Sequence, residues 1–472
     1  LWASHSSTPP LLHSSIPPLL HSSIPPFLHS STPPFHHSST PKLPDPIYLF
    51  WLTVMTAMYA RNILLFLACL VFAQCADPGK LDSIIDNAPE VIQLVASDPE
   101  KYEVQILYVQ IDRDRKNVPS FSEFAFNLDA SKYFYPASTV KMPMAFLALD
   151  KLNDISTPGL DRNTRMQIDS SRYPQSVVLV DSTSRNGMPS VGHFVRKIFV
   201  ASDNDAFNRL YEFVGVDEGH QRLEELGLNK TRIIHRLSDF RFGPEENRYT
   251  NPVLFFDSDT LVYAQPERYA DQGVWPDPSG QVKGVAYIDT AGKKISEPFD
   301  FTSKNSYPLD DQVETLKRVM FPEAYAVDQR FNLTEDDYAF LYNAMSTLPG
   351  ESMYPKYAGE EFVDGYVKFL MYGDTKESIP SHIRIFNKVG WAYGYLTDCA
   401  YIVDFKNNIE FILAATVHVN ENRTYNDGEY EYETIGIPFL AELGRQVYHY
   451  DLNRSRKHKP NLGKYKFKYP SD

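Results

Sequence analysis

Apolar and polar positions change period several times along this chain, and each change marks an element. Residues 102–111 are rich in β-branched and aromatic side chains with partial alternation, which predicts a strand. Residues 121–127 predict its partner across a polar turn at 112–117. Beyond Pro136, the run Met142-Pro143-Met144-Ala145-Phe146-Leu147-Ala148-Leu149 predicts a buried helix. A loop at 181–190 leads to two further helices, 191–200 and 206–214. The second places Phe207, Leu210, Tyr211 and Val214 on one face, and Ala201-Ser202-Asp203-Asn204 separates the pair. Residues 254–324 read as a loop-rich elaboration of the domain with short strand-like pieces such as 282–288. Leu333-Thr334-Glu335-Asp336-Asp337 starts another helix, with acidic residues at its positive end. The last third returns to strands at 383–391, 399–405 and 409–419, with a tight turn at Asn407-Asn408, and closes on an amphipathic helix at 435–448. Strands at both ends around a helical middle predict an α+β fold, its two ends sharing one antiparallel β-sheet flanked by helices.

The first part of the chain has a different character. Leu11-Leu12-His13-Ser14-Ser15-Ile16-Pro17-Pro18 recurs at 19–26 and 27–34, with degenerate copies at 3–10 and 35–42. A Pro-Pro pair in every unit but the last opposes both helix and sheet, so an extended or disordered segment is expected. Six of the thirteen histidines lie here, but their spacing is that of the repeat, so no metal site is read from them. Residues 1–57 read as translated upstream sequence outside the working protein. Met58-Tyr59-Ala60-Arg61-Asn62, the apolar run 63–73 and Ala73-Gln74-Cys75 then read as a signal peptide over 58–76. Export to the periplasm or another extracytoplasmic space is expected. Cys75 is a second candidate, as a lipid anchor, although Phe72-Ala73-Gln74 departs from the usual lipobox. The working domain is expected over 77–452, and Arg454-Ser455-Arg456-Lys457-His458-Lys459 begins a basic, solvated tail over 453–472.

A chain of 472 residues, 43% hydrophobic and 14% aromatic, can bury a large core. A net charge of −14 argues against nucleic acid as a partner. With Cys69 and Cys75 assigned to the signal, Cys399 alone remains, so no internal disulfide is expected.

Ser138-Thr139-Val140-Lys141 carries the first chemistry. Its hydroxyl and amine are three residues apart, which puts them on one helix face. A serine needs a base to become a nucleophile, and a buried lysine can shed its proton and serve as one. Ser202-Asp203-Asn204 and then Lys388-Val389-Gly390 follow in order. Each triplet alone is cheap: the first reads equally as a helix cap, the second as a strand ending in a turn. Together they match the Ser-x-x-Lys, Ser-Asp-Asn, Lys-Thr-Gly set.

With that set, residues 81–450 resemble the serine β-lactamase and penicillin-binding protein superfamily, most closely the class A group. The resemblance implies an all-helical subdomain beside the sheet, no cofactor, a small β-lactam or peptidoglycan-type peptide as substrate, and a monomer. It implies that Ser138 forms an acyl-enzyme, Lys141 takes or relays its proton, and Ser202 passes a proton to the leaving nitrogen in the field of Lys388. Asn204, Gly390 and Trp391 are the substrate-binding candidates, with the oxyanion between the N–H groups of Ser138 and Trp391. Asp203 is expected to brace its loop. Val389 replaces a threonine whose hydroxyl, by resemblance, helps hold a substrate carboxylate. The long stretch from Ser202 to Lys388 implies an insertion, placed at 254–324.

Class A relatives deacylate with a glutamate on the loop after the Ser-Asp-Asn helices. Here that loop runs from Thr231-Arg232 to Asn251-Pro252, and no glutamate falls on the family position. Asp239, Glu245 and Glu246 are the candidate bases. Three functions stay open: a β-lactam-hydrolysing enzyme, a D-alanyl-D-alanine peptidase or penicillin-binding acyl hydrolase with slow deacylation, and a non-catalytic β-lactam or peptidoglycan-binding module.

Overall fold

The computed structural model describes residues 79–469 apart from 272 and 274; the octapeptide repeat, the signal segment and Cys75 lie outside them. Five strands form the main sheet: β1 (Gln105–Arg113), β2 (Pro119–Phe126), β3 (Ile383–Ala392), β4 (Tyr395–Asp404) and β5 (Ile409–His418). Their spatial order is β3-β4-β5-β1-β2, antiparallel throughout. The two ends of the chain therefore meet at β1 and β5, as the pattern predicts.

Alternation along the strands feeds two separate cores. Leu107, Val109 and Ile111 of β1, with Tyr401 and Ile412, join one apolar cluster. Ile106 and Tyr108, with Ile402 and Leu413, join the other. The second core is closed by α1 (Gly79–Asp86), α2 (Glu90–Ser97) and the C-terminal helix, through Leu81, Ile92, Leu440 and Leu443. The first is closed by the helical middle: α3 (Lys141–Ile155), α4 (Val191–Ala201), α5 (Asn204–Val214), α6 (Val216–Glu225), α7 (Leu309–Met320) and α8 (Glu335–Ser346). The C-terminal helix is α9 (Ile437–Asn453). With both faces covered, β4 and β5 are buried at every position, which is why they read as continuous apolar runs.

Three expectations are corrected. Helix α7 lies inside the stretch read as loop-rich. Val313, Leu316, Val319 and Met320 recur at helical spacing and press on the sheet, so tertiary burial outweighs the polar residues around them. Strand β4 begins at Tyr395, four residues before the predicted start, because Tyr393 and Gly394 turn the chain in two residues with φ of 55° and 81°. The basic tail is not a solvated one. Asp451 is fully buried, accepts from the Tyr108 hydroxyl at 2.7 Å, and is paired by Arg454 and Arg456. A buried carboxylate requires such partners. Farther on, Tyr465 is fully buried between Tyr342, Phe386 and Tyr401, and its hydroxyl donates to the Met320 carbonyl at 2.6 Å.

Tyr465→Ala should lower the unfolding free energy by about 3–5 kcal/mol, the cost of deleting a buried aromatic. Urea denaturation measures it; a loss below about 0.5 kcal/mol, typical of a surface change, would mean the tail is solvated after all.

Candidate active site

Ser138 lies in a 3₁₀ turn, Ala137–Val140, immediately ahead of α3, which begins at Lys141. In a 3₁₀ turn residues i and i+3 eclipse, so the two side chains are aligned more closely than on an α-helical face. The Lys141 amine donates to Ser138 Oγ at 2.8 Å. Ala137 holds φ at 47°, left-handed backbone that an alanine rarely adopts, at the residue before the serine.

The second triplet breaks the chain between α4 and α5. Ser202 takes a left-handed conformation, φ 57°, as the C-cap of α4. Asp203 then caps α5 by accepting from the Ala206 N–H at 2.8 Å, and it faces Lys197 at 3.4 Å. This reversal turns both the carbonyl and the hydroxyl of Ser202 toward Lys141, at 2.5 and 3.3 Å. Asn204 accepts from the same amine at 2.6 Å through Oδ1, while its Nδ2 donates to Ser238 Oγ at 2.8 Å.

The third triplet lies on β3, the edge strand. Ala392 and Tyr395 flank a two-residue turn and so form a hydrogen-bonded pair. The next pair, Trp391 with Leu396, is not hydrogen-bonded, which leaves the Trp391 N–H on the open edge. Val389 has the same parity, and its carbonyl accepts from the Lys388 amine at 2.9 Å. Lys388 also donates to Ser202 Oγ at 2.8 Å. The Val389 side chain is buried in the core of the terminal helices, so this position contributes a carbonyl and no hydroxyl to the site. Gly390 is where the edge passes the serine turn: a Cβ there would stand 2.3 Å from the Pro136 carbonyl oxygen. Trp391 is 46% exposed, with its ring edge-on to Phe369 and Tyr432.

Both amines are out of water. Burial pulls Lys141 down to about 7. Burial first, and the neighbouring Lys141 charge second, hold Lys388 well below the usual ammonium range. Two amines sharing the Ser202 hydroxyl can hold, pass and return a proton along one line to Ser138.

The candidate bases stand elsewhere. Both Asp239 oxygens are bound by the Arg241 guanidinium, at 2.8 and 2.6 Å, which together with the Arg241 N–H holds the carboxyl below its usual range. Glu245 is exposed and faces Arg248 at 3.3 Å. Glu246 packs over Gly243. Among the described residues, no carboxylate bonds to Ser138, Lys141, Ser202 or Lys388. The loop instead offers Ser238 to Asn204. Asn208, one helical turn beyond Asn204, fixes that serine by bonding both the N–H and the carbonyl of Leu237, at 2.8 and 3.0 Å. The sequence reading missed Ser238 and Asn208; the only signal was the Asn204/Asn208 spacing on one face of α5.

A beta-lactamase enzyme family model matches residues 89–254, a span that contains Ser138, Lys141 and Ser202. This part of the chain is similar to the beta-lactamase enzyme family. The resemblance drawn from the three motifs is thus borne out, with Lys388 lying beyond the matched span. Solved structures similar to the chain include a beta-lactamase from Sphaerobacter thermophilus, 13% identical over 76% of this chain and 96% of that one, with a TM-score of 0.42. They also include PBP-A, at 14%, 77%, 98% and 0.42, and a beta-lactamase from Burkholderia vietnamiensis, at 16%, 76%, 97% and 0.39. No curated protein matches the chain.

Gly390→Ala should slow labelling of Ser138 by a fluorescent penicillin about 100-fold, the order of losing one oxyanion donor. The melting temperature of the variant checks that its fold is kept. Labelling at the parent rate would show that the edge strand does not form the site.

Proposed function

We propose that this protein is a serine hydrolase that opens β-lactams or related amides through an acyl-enzyme on Ser138. The observation that supports it is the Lys141 amine, which contacts Ser138, Ser202 and Asn204 at once from a fully buried position. In the free-base form it accepts the Ser138 proton as Oγ attacks the carbonyl carbon. Collapse of the tetrahedral intermediate expels the amide nitrogen, which takes a proton from Ser202. Lys141 then returns the Ser138 proton to Ser202, whose hydroxyl stays in the positive field of Lys388. The N–H groups of Ser138 and Trp391 face the developing oxyanion. A purely binding module has no need of four such groups in one hydrogen-bonded line.

One observation favours the slow-deacylating version of this chemistry, a penicillin-binding or D-alanyl-D-alanine peptidase-type enzyme. No described carboxylate is hydrogen-bonded to Ser138 or its lysine partners, and Ser238, the loop residue bound to Asn204, is a hydroxyl with little basicity. The substrate is then a small β-lactam or a peptidoglycan-type peptide, the working form a monomer, and the place of action outside the cytoplasm, by way of the 58–76 signal or a lipid on Cys75.

Residues 77–472 incubated with fluorescent penicillin should label stoichiometrically, and Ser138→Ala should abolish the label. A chromogenic cephalosporin should give a burst of one equivalent followed by slow turnover; sustained rapid turnover would favour the β-lactamase reading, and a Ser138→Ala variant that still reacts would refute the nucleophile. Because Lys141 must be unprotonated to act and titrates at about 7, the acylation rate constant should be level above that pH and fall about tenfold per unit below it. Stopped-flow labelling between pH 5 and pH 9 tests this, and a rate that rises only above about pH 10, the ordinary lysine range, would remove Lys141 as the base.

A further inference from the structure

A cleft of about 730 Å³ opens between α4, α8 and the loops at 184–190 and 351–354. Arg196 lines it. Its guanidinium lies over the Phe340 ring at 4.8 Å, is largely desolvated, and has no carboxylate or carbonyl partner among the described residues. Arg162, the cation nearest to it, is committed to Asp336 and Asp337. The one acid in the cleft wall, Glu351, is held by Arg384 through two hydrogen bonds, at 2.9 and 2.7 Å. Arg185 adds a second cation at the exposed rim.

A planar fork of N–H donors, half-buried and left without a protein acceptor, is the group that binds carboxylate or phosphate oxygens. The cleft is far too large for a bare ion and lies in the range of small-molecule sites. The side-chain amides of Asn163 and Asn343 face it without a protein partner among the described residues, as does the Asn186 Nδ2. Tyr354, 46% exposed, offers a ring face and a free hydroxyl at the mouth. Amides pair with vicinal hydroxyls, and an exposed aromatic ring covers the apolar face of a pyranose.

We propose that this cleft is a second, non-catalytic site for an anionic saccharide, whose carboxylate or phosphate pairs with Arg196 and whose hydroxyls are read by the three asparagines. The site shares no residue with the acylation machinery. It is joined to it through α4, whose Lys197 bridges Asp181 and Asp203 at 3.3 and 3.4 Å, and through Glu351, bound to Arg384 on the strand that carries Lys388.

Isothermal titration of residues 77–472 with glucuronic acid, glucose-6-phosphate, glucose and inorganic phosphate tests the assignment without reference to catalysis. At least one of the two anionic hexoses should bind, and which one does so tells carboxylate from phosphate. Arg196→Gln should weaken that binding about 10- to 100-fold, as expected for loss of a charge-assisted hydrogen bond pair. Should that variant lose its fold with the Phe340 contact, Asn343→Ala serves in its place and should weaken binding about threefold or more. Silence with both anionic hexoses, binding unchanged in the variants, or equal binding of glucose or phosphate would each overturn the proposal.

Discussion

The candidate site depends on one amine kept out of water. An ammonium buried without partners would cost several kcal/mol, and Lys141 offsets part of that cost by meeting three acceptors. They come from three places: the 3₁₀ turn that carries Ser138, the left-handed break at Ser202, and the first turn of α5 at Asn204. None of these elements could be moved without unpairing the amine, so the same contacts that stabilise Lys141 set the geometry around the serine. Burial is also what brings its titration near neutrality, and structure and reactivity are here one interaction.

The sheet supplies the other half. An edge strand ordinarily invites a further strand, because its outward N–H and C=O groups are unpaired. In β3 that edge is covered by the serine turn, and the close approach is allowed because position 390 has no side chain. What would be an aggregation hazard becomes a row of fixed donors and acceptors: the Trp391 N–H beside Ser138, and the Val389 carbonyl on Lys388. Cores on both faces of the sheet hold that edge rigid.

Much of this was legible because each motif residue has a local reason for its place. Ser138 and Lys141 share a spacing, Ser202-Asp203-Asn204 ends one helix and starts another, and Lys388 precedes a glycine on a strand. The strands β1 and β5 were legible from their β-branched residues, β2 from its phenylalanines, and α8 from the acidic first turn whose Thr334 and Asp337 form a capping box. Harder to read were elements that owe their form to distant partners. Helix α7 is specified by four apolar positions pressed on a sheet whose strands lie on either side of it in sequence. Tyr393 in a left-handed turn contradicts its own preference and is held by the aromatic rings of Tyr135, Phe299 and Phe301. Ser238 could not be picked from other loop serines, since only Asn204 and Asn208 from α5 distinguish it.

On the proposed reading, the same bonds bear differently on acylation and on deacylation. The loop from 231 to 250 must be rigid to present anything to Asn204, and its rigidity is obtained by pairing its charges. Arg241 takes both oxygens of Asp239, Arg248 takes Glu245, and the Asn247 amide binds the carbonyls of Phe242 and Gly243. The two guanidinium pairings engage Asp239 and Glu245 as they brace the loop. The groups of the lysine relay brace the site by bonding to one another. On that reading a proton passes from Ser138 to a leaving nitrogen along existing hydrogen bonds, whereas no described carboxylate is bonded to that line to activate a water. The balance of the two steps is set less by the nucleophile than by how this loop spends its acids.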